Sequence, residues 1–467
     1  MIYDDTIAAI ATPPGEGGIG VVRISGPAAP AILALLFRPA RAGAWRPFRM
    51  RYGHVAGPAG RALDEALAVY MRAPRSYTGE DVAEISCHGG PLVLSRVLAL
   101  ALAAGARAAE PGEFTMRAFV HGRIDLAQAE ATLDIIRAKT DTALALAQAQ
   151  LGGWLSGELR RVRTLLLGPL AYWTALVDFP EDEVEPQPLE QPLAAALADL
   201  ERLLAGAEQG IVYRQGARVV LVGRPNAGKS SLLNALLRTD RAIVTPIPGT
   251  TRDTLEEIAN LHGIPLVLID TAGITASSDP VEQLGVARSR AALAAADLAL
   301  LVIDASAPAT PEDAEIAALV AAKPTILVLN KIDLLADDPE THRPGQQQHG
   351  QAAHAGLPAH AQLAATIATS AVSGAGLDAL AQAVAAALLG GAPLSGERLV
   401  SNPRHRDALA RAAGHVRDGL AGYRSGVPAD LLTVDLTAAL AAIGEITGDG
   451  IHDDLLATIF STFCIGK

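Results

Sequence analysis

Cysteine is nearly absent from this chain: Cys87 and Cys464 stand far apart in 467 residues. No disulfide framework can be built from them, and the scarcity fits a reducing cytoplasm. Positive charge is also short. Lysine and arginine number 38 against 50 acidic residues, a net charge of -12. That balance argues against a protein held to nucleic acid mainly by a broad cationic surface, though not against a local basic patch. Missing too is any run of about 18 apolar residues free of charges and Gly or Pro breaks, so no membrane span is expected. The opening residues Met1 to Asp5 are acidic and carry no signal-peptide pattern. What is present suits a globular chain, since 50% of the residues are apolar and the length fits roughly two to four domains.

Residues 1–120 read as an α+β domain. Gly18 to Gly26 and Val82 to Cys87 look like strands, and a Leu/Val pattern between Gly90 and Gly105 looks like a helix. Arg23, Glu80 and His88 stand near glycine-rich strand ends, where a ligand can approach closely. Cys87 and His88 invite a metal or nucleophile reading, but neighbours on a strand point to opposite faces. Residues 121–215 turn to Ala/Leu-rich helical periodicity, broken at Gly152-Gly153 and at the segment 179–186. The acidic cluster there (Asp178, Glu181, Asp182, Glu183, Glu185) suits a solvated loop better than a cation site. In 216–390 five apolar strands are expected, at 217–222, 264–269, 298–303, 325–329 and 366–369, alternating with helices as in a mostly parallel sheet. The His/Gln-rich stretch between Asp337 and Thr366 (His342, His349, His354, His360) suits an insertion loop better than a metal tract. Residues 391–467 are helical again. If helices before and after the sheet pack together, the sheet domain is an insertion in a helical one.

The most specific motif is Gly223-Arg224-Pro225-Asn226-Ala227-Gly228-Lys229-Ser230, between the strand 217–222 and a helix beginning Ser231-Leu232-Leu233. Such a loop curls backbone N–H groups around phosphates. The helix N-terminus adds a favourable dipole, Lys229 reaches the terminal phosphates and Ser230 ligates Mg2+. Asn330-Lys331-Ile332-Asp333 selects guanine, because an aspartate there accepts from N1–H and the 2-amino group together; adenine offers no such donor pair. Ser370, Ala371 and Val372 suit a backbone contact to guanine O6. Asp270-Thr271-Ala272-Gly273 ends a strand, placing Asp270 toward Mg2+ through water and Gly273 toward the γ-phosphate. Gly249-Thr250-Thr251 lies in the preceding loop, where Thr251 completes the Mg2+ shell only with the triphosphate. Ile274 stands where Ras-like enzymes carry a water-positioning glutamine, which leaves Glu282 as the nearby substitute. Asn226 can offer a carboxamide oxygen to a monovalent cation, with Thr245, Ile247 and Thr250 finishing a cage.

Together these residues resemble the MnmE (TrmE) family of tRNA-modification GTPases, within the TrmE-Era-EngA-like group. The resemblance also rests on Ala11-Thr12-Pro13-Pro14-Gly15, Tyr77-Thr78-Gly79-Glu80-Asp81, Pro111-Gly112-Glu113-Phe114-Thr115, Gly444-Glu445-Ile446-Thr447-Gly448 and the terminal Phe463-Cys464-Ile465-Gly466-Lys467. It implies an N-terminal α+β tetrahydrofolate-binding and dimerisation domain (1–120), a helical domain in two parts (121–215 and 391–467), and a Ras-like P-loop domain inserted between them (216–390). It implies 5-formyltetrahydrofolate held by Arg23, Glu80, Arg123 and Lys467. GTP would be bound by Asn226, Ala227, Gly228, Lys229, Ser230, Ser231, Thr245, Pro246, Ile247, Pro248, Gly249, Thr250, Thr251, Asp270, Thr271, Ala272, Gly273, Asn330, Lys331, Asp333, Ser370, Ala371 and Val372. Turnover would rest on Lys229 and Glu282, with Mg2+ on Ser230 and Thr251 and K+ on Asn226, Thr245, Ile247 and Thr250.

The implied function is K+-stimulated GTP hydrolysis that, with the flavin-dependent partner MnmG, adds a carboxymethylaminomethyl or aminomethyl group at C5 of the wobble uridine in certain tRNAs. Cys464 is a possible thiol participant. An Era-like ribosome-assembly GTPase is the alternative. It predicts an appended RNA-binding module, such as a G-x-x-G loop, which the last 70 or so residues lack.

Overall fold

The computed structural model of the chain describes residues 4–57, 61–179, 181, 185–239, 257–270, 291–335, 363–391, 398–450 and 453–467. The N-terminal strands are β1 (Ile7–Ile10), β2 (Gly17–Ser25), β3 (Phe37–Pro39), β4 (Arg51–Ala56), β5 (Ala62–Met71), β6 (Val82–Gly89) and β7 (Arg107–Ala108). They form one sheet in the order β3-β4-β5-β6-β2-β1-β7, antiparallel except where β1 meets β7. Two of these strands are legible in the sequence; the others are short or interrupted, as in Arg51-Tyr52-Gly53-His54-Val55-Ala56. Period-two alternation puts Val22 and Ile24 on one face and Arg23 and Ser25 on the other. Helices α1 (Ala29–Leu36) and α2 (Pro91–Ala103) cover the first face, packing Ile32, Leu33, Leu94 and Val97 onto Val22, Ile24 and Ile85. Gly20 permits that approach, because a Cβ there would lie 2.5 Å from a Leu94 methyl. The opposite face meets α3 (Glu113–Val120) and the C-terminal residues. Pro111 bridges Ile465, and Gly112, at φ 69°, passes so close to Phe460 that a Cβ would stand 2.7 Å from its carbonyl oxygen.

A run of helices follows: α4 (Leu126–Arg137), α5 (Asp141–Leu151), α6 (Trp154–Asp178), α7 (Glu190–Leu204) and α8 (Ala207–Gln215). Asp125 and Gln128 close a capping box at the start of α4, satisfying two orphan N–H groups. The second sheet contains β8 (Ala217–Val222), β9 (Glu257–Leu261), β10 (Ile264–Asp270), β11 (Leu298–Asp304), β12 (Thr325–Asn330) and β13 (Leu363–Ala368), in the order β13-β12-β11-β8-β10-β9. Only β9 runs antiparallel. Its sequence, Glu-Ile-Ala-Asn-Leu, has no apolar run, which is why it escapes the sequence pattern. The last strand spans Leu363–Ala368, beginning three residues before the expected 366 and ending one before 369; Thr369 N still donates to Leu329 O of β12 at 2.8 Å. Helices α9 (Lys229–Thr239) and α11 (Leu377–Leu389) pack on one face through Leu232, Leu236, Leu380 and Val384; α10 (Pro311–Val320) packs on the other through Ile316 and Val320. Three further helices are α12 (Pro403–Arg424), α13 (Ala429–Thr447) and α14 (Asp453–Ser461).

Helices from both sides of this sheet share one core. Leu159, Val162, Leu166 and Trp173 of α6 and Leu193 and Leu200 of α7 pack with Leu409, Val416, Leu436 and Ile443 of α12 and α13. The sheet is therefore inserted into a single helical unit. The unit touches it through α5 and α8: Thr140 Oγ1 donates to Gly263 O at 2.8 Å in the β9–β10 turn, and Leu146 and Tyr213 join the sheet's core. No helix among the described residues is long and apolar enough to cross a membrane.

One polar cluster is buried where α4 meets α12. Glu130 accepts from Asn402 Nδ2 at 3.0 Å, from Arg404 Nη2 at 2.5 Å and from His405 Nε2 at 2.6 Å. Burial works against its charge, but His405 and the Arg404 guanidinium outweigh it and hold the carboxyl down at about 2. Since that value lies below the ordinary 4.5, the cluster contributes stability that is present above pH 4.5 and lost as pH falls toward 2. Glu130→Ala takes the carboxylate away from the half-buried Arg404 guanidinium and the buried His405 ring and is expected to cost about 3–5 kcal/mol, read as a lowered denaturant midpoint by tryptophan fluorescence. Glu130→Gln should in addition flatten the acid limb of stability between pH 4.5 and 2; an unchanged limb would remove the carboxylate from the account.

Candidate functional site

The phosphate loop runs from β8 into α9, and one side chain braces it from across the sheet. Asn330, 1% exposed at the end of β12, donates through Nδ2 to Ala227 O at 3.0 Å. Its Oδ1 accepts from Ala371 N at 3.3 Å and Thr369 Oγ1 at 3.4 Å. A single amide thus ties the phosphate loop to the loop after β13. Gly228, at φ 94°, is required for the contact, because a Cβ there would stand 2.3 Å from Asn330 Nδ2. Asn226 also takes a left-handed conformation, at φ 64°.

Lys229 lies buried in the loop it closes, donating to Gly223 O at 2.8 Å and Arg224 O at 3.0 Å. Burial pushes its ammonium below the usual lysine range, while Asp270 and Glu312 pull the other way. A phosphate entering the loop would offer this cation better acceptors than two backbone carbonyls. Ser230 Oγ donates to Asp270 Oδ2 at 2.6 Å, so two oxygen ligands of the kind a hard divalent cation takes already meet. Lys331, at φ 67°, sends Nζ to Asp304 Oδ2 at 2.7 Å. The sequence reading missed Asp304, which ends an apolar strand and has no motif of its own. Asp333 is exposed in a 3-10 turn, Ile332–Leu334. Ser370 is buried, Ala371 half-buried and Val372 86% exposed. Ser231, Ala371 and Val372 line a cleft of about 510 Å³ that opens between α9 and this loop. Thr245, Pro246, Ile247, Pro248, Gly249, Thr250, Thr251, Thr271, Ala272, Gly273 and Glu282 lie outside the described residues.

A second constellation occupies the sheet face away from α1 and α2. Arg23 donates from Nε to Glu84 Oε1 at 2.7 Å and from Nη1 to Gly466 O at 3.1 Å, and its guanidinium lies 5.6 Å from the Phe114 ring centre. The tail therefore reaches Arg23. Burial and the Arg23 charge both push the Lys467 ammonium down, against Glu84 and Cys464. Glu80 accepts from Ser25 Oγ at 2.6 Å and from the buried Arg117 at 3.0 Å. Arg117 also binds Glu113 at 2.9 Å and Asp5 at 2.7 Å. Nothing in the sequence pattern marks Arg117, since it sits among apolar residues of α3. Arg123 donates to Ser76 O at 2.5 Å, on the loop that carries Glu80. Arg23, Glu80, Arg123 and Lys467 thus gather on one side of one sheet. Cys464 is exposed. Cys87 and His88 do not converge: the thiol is buried and pushed up to about 12 by burial and by Asp64, whereas His88 is exposed and pairs with Asp64 at 2.7 Å.

The comparisons match this architecture along its length. Residues 6–123 match the family model described as GTP-binding protein TrmE N-terminus, and residues 126–464 match the MnmE helical domain model. The tRNA modification GTPase MnmE of Roseiflexus sp. (strain RS-1) is 65% identical over 468 residues, covering 100% of both chains. That of Chloroflexus aurantiacus is 60% identical, covering 99% of this chain and 100% of its own. A crystal structure of Aquifex aeolicus Era bound to GDP.AlF4- is 31% identical over 43% of this chain and 66% of its own, at TM-score 0.30. Matched by both family models and by full-length relatives, the chain belongs to the MnmE family of tRNA modification GTPases.

Proposed function

We propose that this GTPase couples K+-stimulated GTP turnover to the addition of a carboxymethylaminomethyl or aminomethyl group at C5 of wobble uridine in certain tRNAs, together with the flavin-dependent partner MnmG. The observation that carries the nucleotide half is the Asn330 brace, which joins the phosphate loop to the loop suited to guanine O6. In this reading Asp333 takes the guanine N–H donors and Lys229 leaves its two carbonyls for the β- and γ-phosphates. Asn226, Ala227, Gly228, Ser231, Asp270, Lys331, Ser370, Ala371 and Val372 complete the described part of the pocket. Mg2+ is held by Ser230 with Thr251, and K+ by Asn226 with Thr245, Ile247 and Thr250. Glu282 orients the attacking water.

The Arg23 cluster supports the folate half. Arg23 and Lys467 present positive charge to folate carboxylates or pterin oxygen. Glu80 has two hydrogen-bond donors already, and a carboxylate has about four acceptor positions, so it can still take pterin N–H groups. Arg123 would flank the same ligand, 5-formyltetrahydrofolate, and Cys464 of the tail would be a possible thiol participant beside it. The protein would act as a homodimer through the N-terminal domain, in the cytoplasm.

GTP hydrolysis is expected to run faster in K+ than in Na+; equal rates would remove the Asn226 cage. Glu282→Ala should lower turnover by about 10²-fold or more, the scale of a lost general acid–base or water-positioning group, with GTP affinity kept. Gly228→Ala drives a methyl into Asn330 and adds about 1–2 kcal/mol of left-handed strain, so fluorescent GDP should bind at least about tenfold more weakly. Mass spectrometry of tRNA nucleosides from cells lacking this chain tests the whole reading. A C5-modified wobble uridine should vanish and return with wild type but not with Glu282→Ala. Unchanged nucleosides would point instead to an Era-like role in ribosome assembly.

A further inference from the structure

From Gly17 to Leu63 the chain contains no aspartate or glutamate but seven arginines: Arg23, Arg38, Arg41, Arg46, Arg49, Arg51 and Arg61. Arg23 is absorbed in the tail cluster. Most of the others collect at the β3–β4–β5 edge of the N-terminal sheet. Arg38 lies on the edge strand opposite His54. The connection 40–50 folds back on the sheet, with Phe48 N donating to Tyr70 O at 2.7 Å and Arg49 N to Arg46 O at 3.3 Å. Arg51 fixes that loop: Nη1 donates to Gly43 O at 2.7 Å, Nη2 donates to Arg41 O, and the guanidinium lies 5.3 Å from the Trp45 ring centre. Two residues beyond Tyr70, the turn after β5 adds Arg72 and Arg75.

Arg38, Arg41, Arg46, Arg49, Arg72 and Arg75 are exposed, and none forms an ion pair with a described carboxylate. The arginines of the helical unit are handled differently. Arg161, Arg163, Arg411, Arg417 and Arg424 each reach an Asp or Glu within 2.5–2.8 Å. In a chain of net charge -12, neutralised arginines are thus the rule on the helices and bare ones are concentrated at one sheet edge. Exposed Phe48, 50%, and Tyr52, 52%, stand among them.

We propose that this arginine-lined edge is the surface on which the phosphate backbone of tRNA docks. The inference rests on the tRNA-modification reading and adds to it the surface that grips the RNA. Bare guanidiniums release counterions on meeting phosphates and bind them bidentately, and exposed aromatic rings stack on unpaired bases. A second copy of the chain is the poorer occupant, since a two-fold contact here would set arginines against arginines.

The test is binding of fluorescent tRNA to the full-length protein as salt is varied. The variant Arg41→Gln/Arg46→Gln/Arg49→Gln/Arg72→Gln should bind at least about tenfold more weakly at low salt. Its slope of log affinity against log salt should be shallower by up to about 3, since each lost phosphate contact removes about 0.7–0.9. GTP hydrolysis without tRNA should be unchanged, which also reports folding. A control, Arg161→Gln/Arg411→Gln/Arg417→Gln/Arg424→Gln, makes the same change in net charge and should keep the wild-type slope. Equal losses in the two variants, unchanged affinity in the first, or a wild type that binds no tRNA would each overturn the docking surface. So would a first variant that keeps tRNA but loses a protein partner or changes its oligomeric mass. The modification reading is decided separately, by the nucleoside measurement.

Discussion

The nucleotide site depends on one buried amide. Asn330 is the only polar side chain that links the phosphate loop, through Ala227 O, to the segment 369–371 among the contacts described at this end of the sheet. A buried carboxamide has two donors and two acceptor positions to satisfy, and here its oxygen and nitrogen face different loops. Leaving either unpaired would cost about 1–3 kcal/mol, so each loop holds the other in place. Gly228 follows from the same geometry: its missing side chain is the space the amide occupies. The parallel arrangement of β8, β11 and β12 brings these loops to one end of the sheet, where ligands of open α/β sheets bind.

Continuity runs from that sheet into the helices. The β9–β10 turn carries Gly263 against Thr140 and Thr142, and an added Cβ would lie 2.2 Å from the Thr142 hydroxyl. Thr140 is the N-cap of α5. Arg214, at the end of α8, pairs with Asp134 of α4 at 2.8 Å, one helical turn from Glu130. Burial raises the Asp134 carboxyl despite that pairing. The last residues before the inserted sheet are therefore tied to the helix whose Glu130 holds α12, the first helix after it. Entry and exit of the insertion are fastened to the same element, which is how a long insertion leaves the helical core intact.

Regular, repeating signals were the legible ones. The phosphate loop sits between a strand and a helix at 217–222 and 229–239 because five apolar residues out of six and then a 3.6-residue pattern leave little choice. The paired helical cores follow from Leu/Ala periodicity on both sides of the sheet. The strands β3, β4 and β9 are short, polar or glycine-bearing, and only tertiary pairing makes them strands. Charge pairing was equally hidden. Glu130 and Arg404 are 274 positions apart, and neither carries a local signature. Arg117 looks like a misplaced charge in an apolar helix until Glu80, Glu113 and Asp5 fold around it.

Net charge is a sum, and sums hide distribution. A total of -12 describes the far field, but at physiological ionic strength charges are screened beyond about 8 Å. A docking polyanion senses only the few side chains it nears. The helical arginines are spent locally on carboxylates, and exposed pairs of that kind are worth about 0–1 kcal/mol each. They neither stabilise much nor attract phosphate, whereas the same residue type left bare at the β3–β4–β5 edge keeps its full field. Acidic residues elsewhere then have a use compatible with RNA chemistry. They discourage binding at other faces, so that a chain acidic overall can hold a polyanion in one orientation instead of many.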